Sequence, residues 1–243
     1  MFVRDGDLIS TVRGLVASGV EGDRLGLAND GEVVYGRAGC SCPAHIESTT
    51  RGVLVSDWSA APGISSNTGE VAYLRVLDPQ SNTYGYTTTQ GAVESFDKTI
   101  WRVYAIDVND YGEAVMELRN LADSFSRVYS TTRGFLTPES LNAIGPSINN
   151  NGEVVYGAFV RNGVISQYDI YSTTRGQLTN FADFDGNSYA DRPDINNNGD
   201  VVFRGRIGDV AGGVYLLPVP EPSSLILLST GVAAMLAGHR RRR

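Results

Sequence analysis

Apolar and polar residues alternate along most of this chain in short runs, and Gly, Asn, Asp, Ser and Thr interrupt them every few positions. That is the period of half-buried strands joined by tight turns rather than the 3.6-residue period of helices. In Gly152-Glu153-Val154-Val155-Tyr156-Gly157-Ala158-Phe159, β-branched and aromatic residues follow an Asn-rich turn, which predicts a strand leaving that turn. Arg161-Asn162-Gly163 then reads as a hairpin loop, and Val164 to Tyr171 as the returning strand. Within residues 1–217 the best candidate for helical spacing is Ala114 to Asp123 (Met116, Leu118, Leu121, Ala122), and it falls on one of these repeated strands.

The pattern repeats. Ser-Thr-Thr-Arg-Gly stands at Ser48 to Gly52, Ser130 to Gly134 and Ser172 to Gly176, with looser copies at Ser10 to Gly14 and Thr87 to Gly91. A second block, roughly I-N-x-x-G-E-V-V-Y, surrounds Gly31, Gly69, Gly112, Gly152 and Gly199. The two blocks alternate, and each recurs about every forty residues, the length of four short strands with their turns. Residues 1–217 therefore read as an all-β repeat domain, a five-bladed β-propeller with four-stranded blades. Leu8-Ile9-Ser10 aligns with Val128-Tyr129-Ser130, and Val214-Tyr215 aligns with the same strand, so the chain starts and stops at one point of the module.

Composition narrows the function classes. The chain has 243 residues, 28 of them Gly, and a net charge of −7 although four arginines close it, so the body ahead of the tail is more acidic still. An acidic body speaks against nucleic acid as a partner. No G-x-S-x-G elbow, H-E-x-x-H, P-loop or Rossmann glycine pattern is present, and the two histidines, His45 and His239, offer little for acid–base catalysis.

The tail departs from the repeat. Residues 218–224 form a Pro-rich linker containing Val219-Pro220-Glu221-Pro222, and residues 225–243 hold an uncharged apolar run ending in Arg240, Arg241, Arg242 and Arg243. The run predicts a short transmembrane helix, about 21 Å for Leu225 to Gly238 against a hydrocarbon core of about 30 Å, with snorkelling arginines covering the deficit. The positive-inside rule keeps those arginines cytoplasmic and puts the body outside. Pro-Glu-Pro, a short apolar helix and a terminal arginine cluster resemble a PEP-CTERM sorting signal. The Asn-x-x-Gly modules are similar to tandem NxxG-type repeats of exported proteins with such anchors. The resemblance implies an exosortase-type membrane sorting enzyme as partner and a transient membrane anchor. It also implies a surface or biofilm-matrix protein at the envelope of an exopolysaccharide-producing Gram-negative bacterium. Such proteins begin with a signal peptide, whereas Met1 to Val20 carries Arg4, Asp5, Asp7 and Arg13 and no apolar core, so the native gene is expected to encode residues ahead of Met1.

Candidate sites are few. Cys40 and Cys42, close in sequence, are a candidate for a local disulfide in an oxidising compartment; with His45 they fall short of a zinc set. Asp194, Asn196, Asn198 and Asp200 resemble the opening of a calcium loop, but the twelfth position is Gly205 rather than a bidentate Glu, and an Asx turn explains the pattern. Glu32, Glu70, Glu113, Glu153 and Asp200 recur after each turn glycine, as structural groups do and catalytic pairs do not. Tyr35, Tyr73, Tyr156 and Phe203, with Met116, share one module position and are expected to pack between blades. The reading is a non-enzymatic exported protein without cofactor, with carbohydrate as the expected ligand. The alternative is a propeller glycosidase or lyase using non-repeated acids such as Glu94, Asp97 or Asp123.

Overall fold

The computed structural model describes residues 2–219, apart from 5–6, 11–13, 19, 29, 38–44, 57–58, 65–67, 79–81, 94–96, 98, 163–164, 181–188 and 207–211. Among the described residues it is all-β, with six antiparallel sheets in chain order. The first has three strands, Phe2–Arg4 (β1), Asp7–Ser10 (β2) and Gly14–Ser18 (β3). Blade 1 holds Val20–Leu27 (β4), Val33–Arg37 (β5), His45–Ser48 (β6) and Gly52–Val55 (β7). Blade 2 holds Ser59–Ile64 (β8), Val71–Asp78 (β9), Asn82–Thr87 (β10) and Gly91–Ala92 (β11). Blade 3 holds Trp101–Val108 (β12), Ala114–Asn120 (β13), Ser126–Ser130 (β14) and Gly134–Phe135 (β15). Blade 4 holds Asn142–Ile148 (β16), Val154–Asn162 (β17), Ile165–Ser172 (β18) and Gly176–Gln177 (β19). Blade 5 holds Tyr189–Ile195 (β20), Val201–Arg206 (β21) and Gly213–Leu217 (β22).

The two sequence blocks close the two kinds of hairpin. Every Asn-rich block lies between the first and second strands of a blade, and four of the five Ser-Thr-Thr-Arg-Gly copies turn the third strand into the fourth, in register Ser48↔Gly52, Thr87↔Gly91, Ser130↔Gly134 and Ser172↔Gly176. The same register, Ser10↔Gly14, joins β2 to β3. Five copies of each block are thus spread over six sheets: the first sheet carries a copy of one block, and blade 5 carries only the other. The expected five-blade propeller arrangement stands, with three strands described in blade 5. Ala114 to Asn120, despite its helical spacing, is strand β13, because it is paired on both sides by β12 and β14.

First strands of successive blades pack on one another, β4 on β8, β8 on β12, β12 on β16 and β16 on β20, which places them innermost. Four apolar cores lie between neighbouring blades rather than within them. Val34, Ile46, Val71 and Tyr73 join blades 1 and 2, and Leu74, Ile106 and Met116 join blades 2 and 3. Val115, Val128, Val154 and Tyr156 join blades 3 and 4, and Val155, Ile170, Val201 and Phe203 join blades 4 and 5. The shared aromatic position is buried as expected, and in three blades its side chain meets a cross-strand aromatic: Tyr73 stacks on Tyr86, Tyr156 on Tyr171 and Phe203 on Tyr215, with centroids 5.7, 6.1 and 5.5 Å apart. Among the described residues no helix is long and apolar enough to cross a membrane. The predicted helix and arginine tail at 225–243 lie outside them, as do Pro220, Glu221, Pro222, Cys40, Cys42 and Glu94.

Candidate functional site

Every letter of the repeated motif has a bonding role at one end of the blades. In blade 4, Ser172 Oγ accepts from Thr174 N and Arg175 N, both at 3.1 Å, fixing the turn, and itself donates to Glu153 Oε1. Thr173 Oγ1 accepts from Val154 N at 3.0 Å, pinning the turn to the second strand. Arg175 Nε donates to Glu153 Oε1 at 2.6 Å and its Nη2 donates to Gly199 O of blade 5 at 2.9 Å. Gly176 closes the turn at φ 74°, which an L side chain adopts only with strain. Blade 1 repeats the set through Ser48, Glu32 and Arg51, whose Nη2 reaches Gly69 O of blade 2 at 2.9 Å. In blade 2, Thr89 binds Glu70, and Gln90 takes the bridging place, Nε2 to Gly112 O at 3.3 Å. Burial opposes ionisation of Glu153, but hydrogen bonds from Ser172, Arg175 and Thr174 outweigh it and hold the carboxyl below its usual range; Glu113 behaves alike through Ser130 and Arg133.

The Asn-rich turns lie side by side. Asn149 Oδ1 accepts from Asn151 N and Glu153 N at 3.0 Å, the Asx-type cap that makes Asn useful there, while Gly152 takes φ 76°. Its Nδ2 donates to Asn196 O of the next blade at 3.2 Å, as Asn109 Nδ2 does to Asn149 O at 3.4 Å. Two residues before these asparagines, on the innermost strands, Asp107, Ser147 and Asp194 meet. Ser147 Oγ lies 2.9 Å from Asp107 Oδ2 and 2.8 Å from Asp194 Oδ1. One hydroxyl proton serves one acceptor, so the second short contact calls for a proton on a carboxyl. Burial, and then the charge of Asp194, push Asp107 up to about 6 against hydrogen bonds from Ile148 N and Ser147 Oγ.

The other sequence candidates are engaged locally. Asn196 Oδ1 accepts from Asn198 N at 3.0 Å and Asp200 N at 2.9 Å, and Asp200 Oδ1 accepts from Val219 N at 2.9 Å, so the calcium-like stretch is folded as an Asx turn with Asp194 turned to Ser147. His45 Nε2 lies 2.8 Å from Glu47 Oε1. Asp97 accepts from Thr99 N and Asp123 from Phe125 N, and both are exposed loop caps. Asp107, Ser147 and Asp194 share one module position, but the repeat alignment hides them because only two of the five residues there are acids.

Residues 218–243 match the PEP-CTERM protein-sorting motif. The motif marks an exported protein for an exosortase-type enzyme, directing the chain to the cell envelope or the extracellular space. No relative among curated proteins matches the sequence. Among solved structures, TolB from Acinetobacter baumannii is similar at TM-score 0.46 and 19% identity over 65% of this chain and 43% of that one. A glycoside hydrolase is similar at TM-score 0.38 and 12% identity over 82% of this chain and 59% of the other. The chain spans less than two thirds of the length of either.

Proposed function

We propose that this chain is an exported surface or extracellular-matrix protein without catalytic activity, sorted through its C-terminal motif, whose propeller body binds carbohydrate. The observation that carries the reading is the sorting motif at residues 218–243, joined to a repeat whose recurrent polar side chains are bonded to backbone and to each other. The chain is acted on by the sorting enzyme. Its membrane anchorage is transient, and its body is delivered to an extracellular polysaccharide.

A second reading, a polysaccharide-acting hydrolase, is favoured by one feature, the carboxyl pair of Asp107 and Asp194. The two carboxylate oxygens that share Ser147 Oγ, at 2.9 and 2.8 Å from it, are at most about 5.7 Å apart, near the ~5–5.5 Å separation of retaining glycosidases. Ser147 fills the gap where a sugar would have to sit, and this weighs for the non-enzymatic reading. The test is fractionation of cells expressing the secretion-competent chain, tagged ahead of Val219, with and without an exosortase. Envelope or medium localisation that is lost without the exosortase or without Pro220 to Arg243 supports sorting. Identical localisation in all three cases contradicts it. Polysaccharide cleavage abolished by Asp107→Asn would move the reading to the hydrolase.

A further inference from the structure

At the end of blade 3 remote from the Asn-rich turns, two arginines face each other. Arg102 of β12 and Arg119 of β13 are direct cross-strand partners. In an antiparallel pair such partners project from one face of the sheet, and like charges so placed repel. Arg119 is held: Nε donates to Ser124 O at 3.1 Å, and its guanidinium lies 5.5 Å from the centre of the Tyr104 ring. Ser124 adopts φ 65°, strained for a residue with a Cβ, in the loop that presents this carbonyl. Arg102 has no such anchor. Its Nε is buried without a hydrogen-bond partner, and no ion pair among the described residues includes either arginine. Beside them, Tyr104 is skipped by the register shift between Val103 and Ala105 and is 41% exposed, and Phe125, in the adjoining loop, is 42% exposed.

We infer that Arg102 and Arg119 form a binding site for a carboxylate carried on an acidic sugar chain, with Tyr104 offering its ring to the sugar. A planar guanidinium fork matches a carboxylate in two parallel hydrogen bonds. An anion against the two half-buried guanidinium groups cancels the repulsion between the cations, while the exposed ring supplies an apolar face for the C–H side of a pyranose. Arg119, already oriented by Ser124 and Tyr104, needs little ordering on binding. The site rests on the carbohydrate-binding reading above and narrows it to polyuronates.

The full chain is tested by affinity electrophoresis and calorimetry with polygalacturonate, fully methyl-esterified polygalacturonate, dextran, inorganic sulfate and phosphatidylglycerol vesicles. Wild type binds polygalacturonate, more weakly as salt rises, and leaves dextran and the ester unbound. Arg102→Gln weakens that binding about tenfold or more, while its melting temperature is no lower than wild type because the residue removed is an unpartnered cation. Equal binding of polygalacturonate by wild type and Arg102→Gln overturns the site. Binding to dextran and the ester that Arg102→Gln leaves intact overturns the site but keeps the carbohydrate reading. Thermal stabilisation by sulfate alone, dependent on Arg102, with no polysaccharide bound, overturns the sugar ligand and the carbohydrate reading together. Binding confined to vesicles overturns the proposal in favour of a lipid headgroup.

Discussion

Arg175 Nε donates to Glu153 Oε1 at 2.6 Å across 22 residues of sequence, while Nη2 of the same guanidinium donates to Gly199 O of the following blade. A single side chain thus ties the two repeated blocks of blade 4 together and joins that blade to blade 5. Arg51 makes the same pair of bonds between blades 1 and 2. Blade-to-blade adhesion combines this polar bridge at the turn end with an apolar core along the strands.

Two kinds of carboxyl pull the pH dependence in opposite directions. Glu113 and Glu153 are held below their ordinary value of 4.5, so the stability they contribute is present above that pH and is lost as pH falls further. Asp107 is raised from 3.8 to about 6, so its contribution is present in the protonated form and is lost as pH rises between about 4 and 6. Denaturant unfolding across pH 3–8 is expected to show maximal stability near pH 5. Asp107→Asn is expected to flatten the decline between about pH 4 and 6 and to exceed wild type at pH 7 by on the order of 1–2 kcal/mol. An unchanged decline in that variant would place the titrating group elsewhere.

Glycines fall into two classes that one substitution separates. Gly134 needs its φ of 73° and has nothing within 4 Å of a built Cβ, so Gly134→Ala is expected to cost about 1 kcal/mol and Gly134→Asn less. Gly85 is instead a packing glycine: a Cβ there would lie 2.8 Å from Met116 Sδ and 3.1 Å from Ile106 Cδ1. Gly85→Ala is expected to cost about 1–3 kcal/mol by overpacking. Unfolding of the double variant with Met116→Ala should show a cost below the sum of the singles, whereas Gly134→Ala and Met116→Ala should add.

Chelation is expected to leave the melting temperature unchanged, because the oxygens of Asp194, Asn196 and Asp200 already accept hydrogen bonds within the chain. Differential scanning calorimetry with EDTA and then with excess calcium checks this. A rise in melting temperature with calcium would mean that the Asp194 to Asp200 turn rearranges around the ion.

Much of the fold was legible because the repeat is local. Asn149-x-x-Gly152 and Ser172-Thr173-Thr174-Arg175-Gly176 each specify a turn within a few residues, and their alternation gives the module length directly. The distribution of blocks over six sheets was harder to read, since it depends on which strand pairs with which rather than on where strands occur. The helical spacing of Met116, Leu118 and Leu121 was outweighed by the position of the stretch in the repeat, and β12 and β14 on either side of β13 hold it as a strand. The acids Glu113 and Glu153 were recognisable as structural by their recurrence, but their partners Arg133 and Arg175, 20 and 22 residues away, were not. Asp107, Ser147 and Asp194 converge only when blades stack, which no single module reveals, and Arg102 facing Arg119 likewise follows from register.

The central claim, that the repeated polar residues bond the two blocks of a blade to each other and through Arg175 to the next blade, is tested most directly by a double-mutant cycle on Glu153 and Arg175 read by equilibrium unfolding at pH 7. Arg175→Ala is expected to cost about 1–3 kcal/mol, because Glu153 is left largely buried with fewer donors and Gly199 O loses its bond. Glu153→Gln should cost a similar amount, and the coupling energy between the two should be about 1 kcal/mol or more. A coupling indistinguishable from zero, with both single variants as stable as wild type, would contradict the claim.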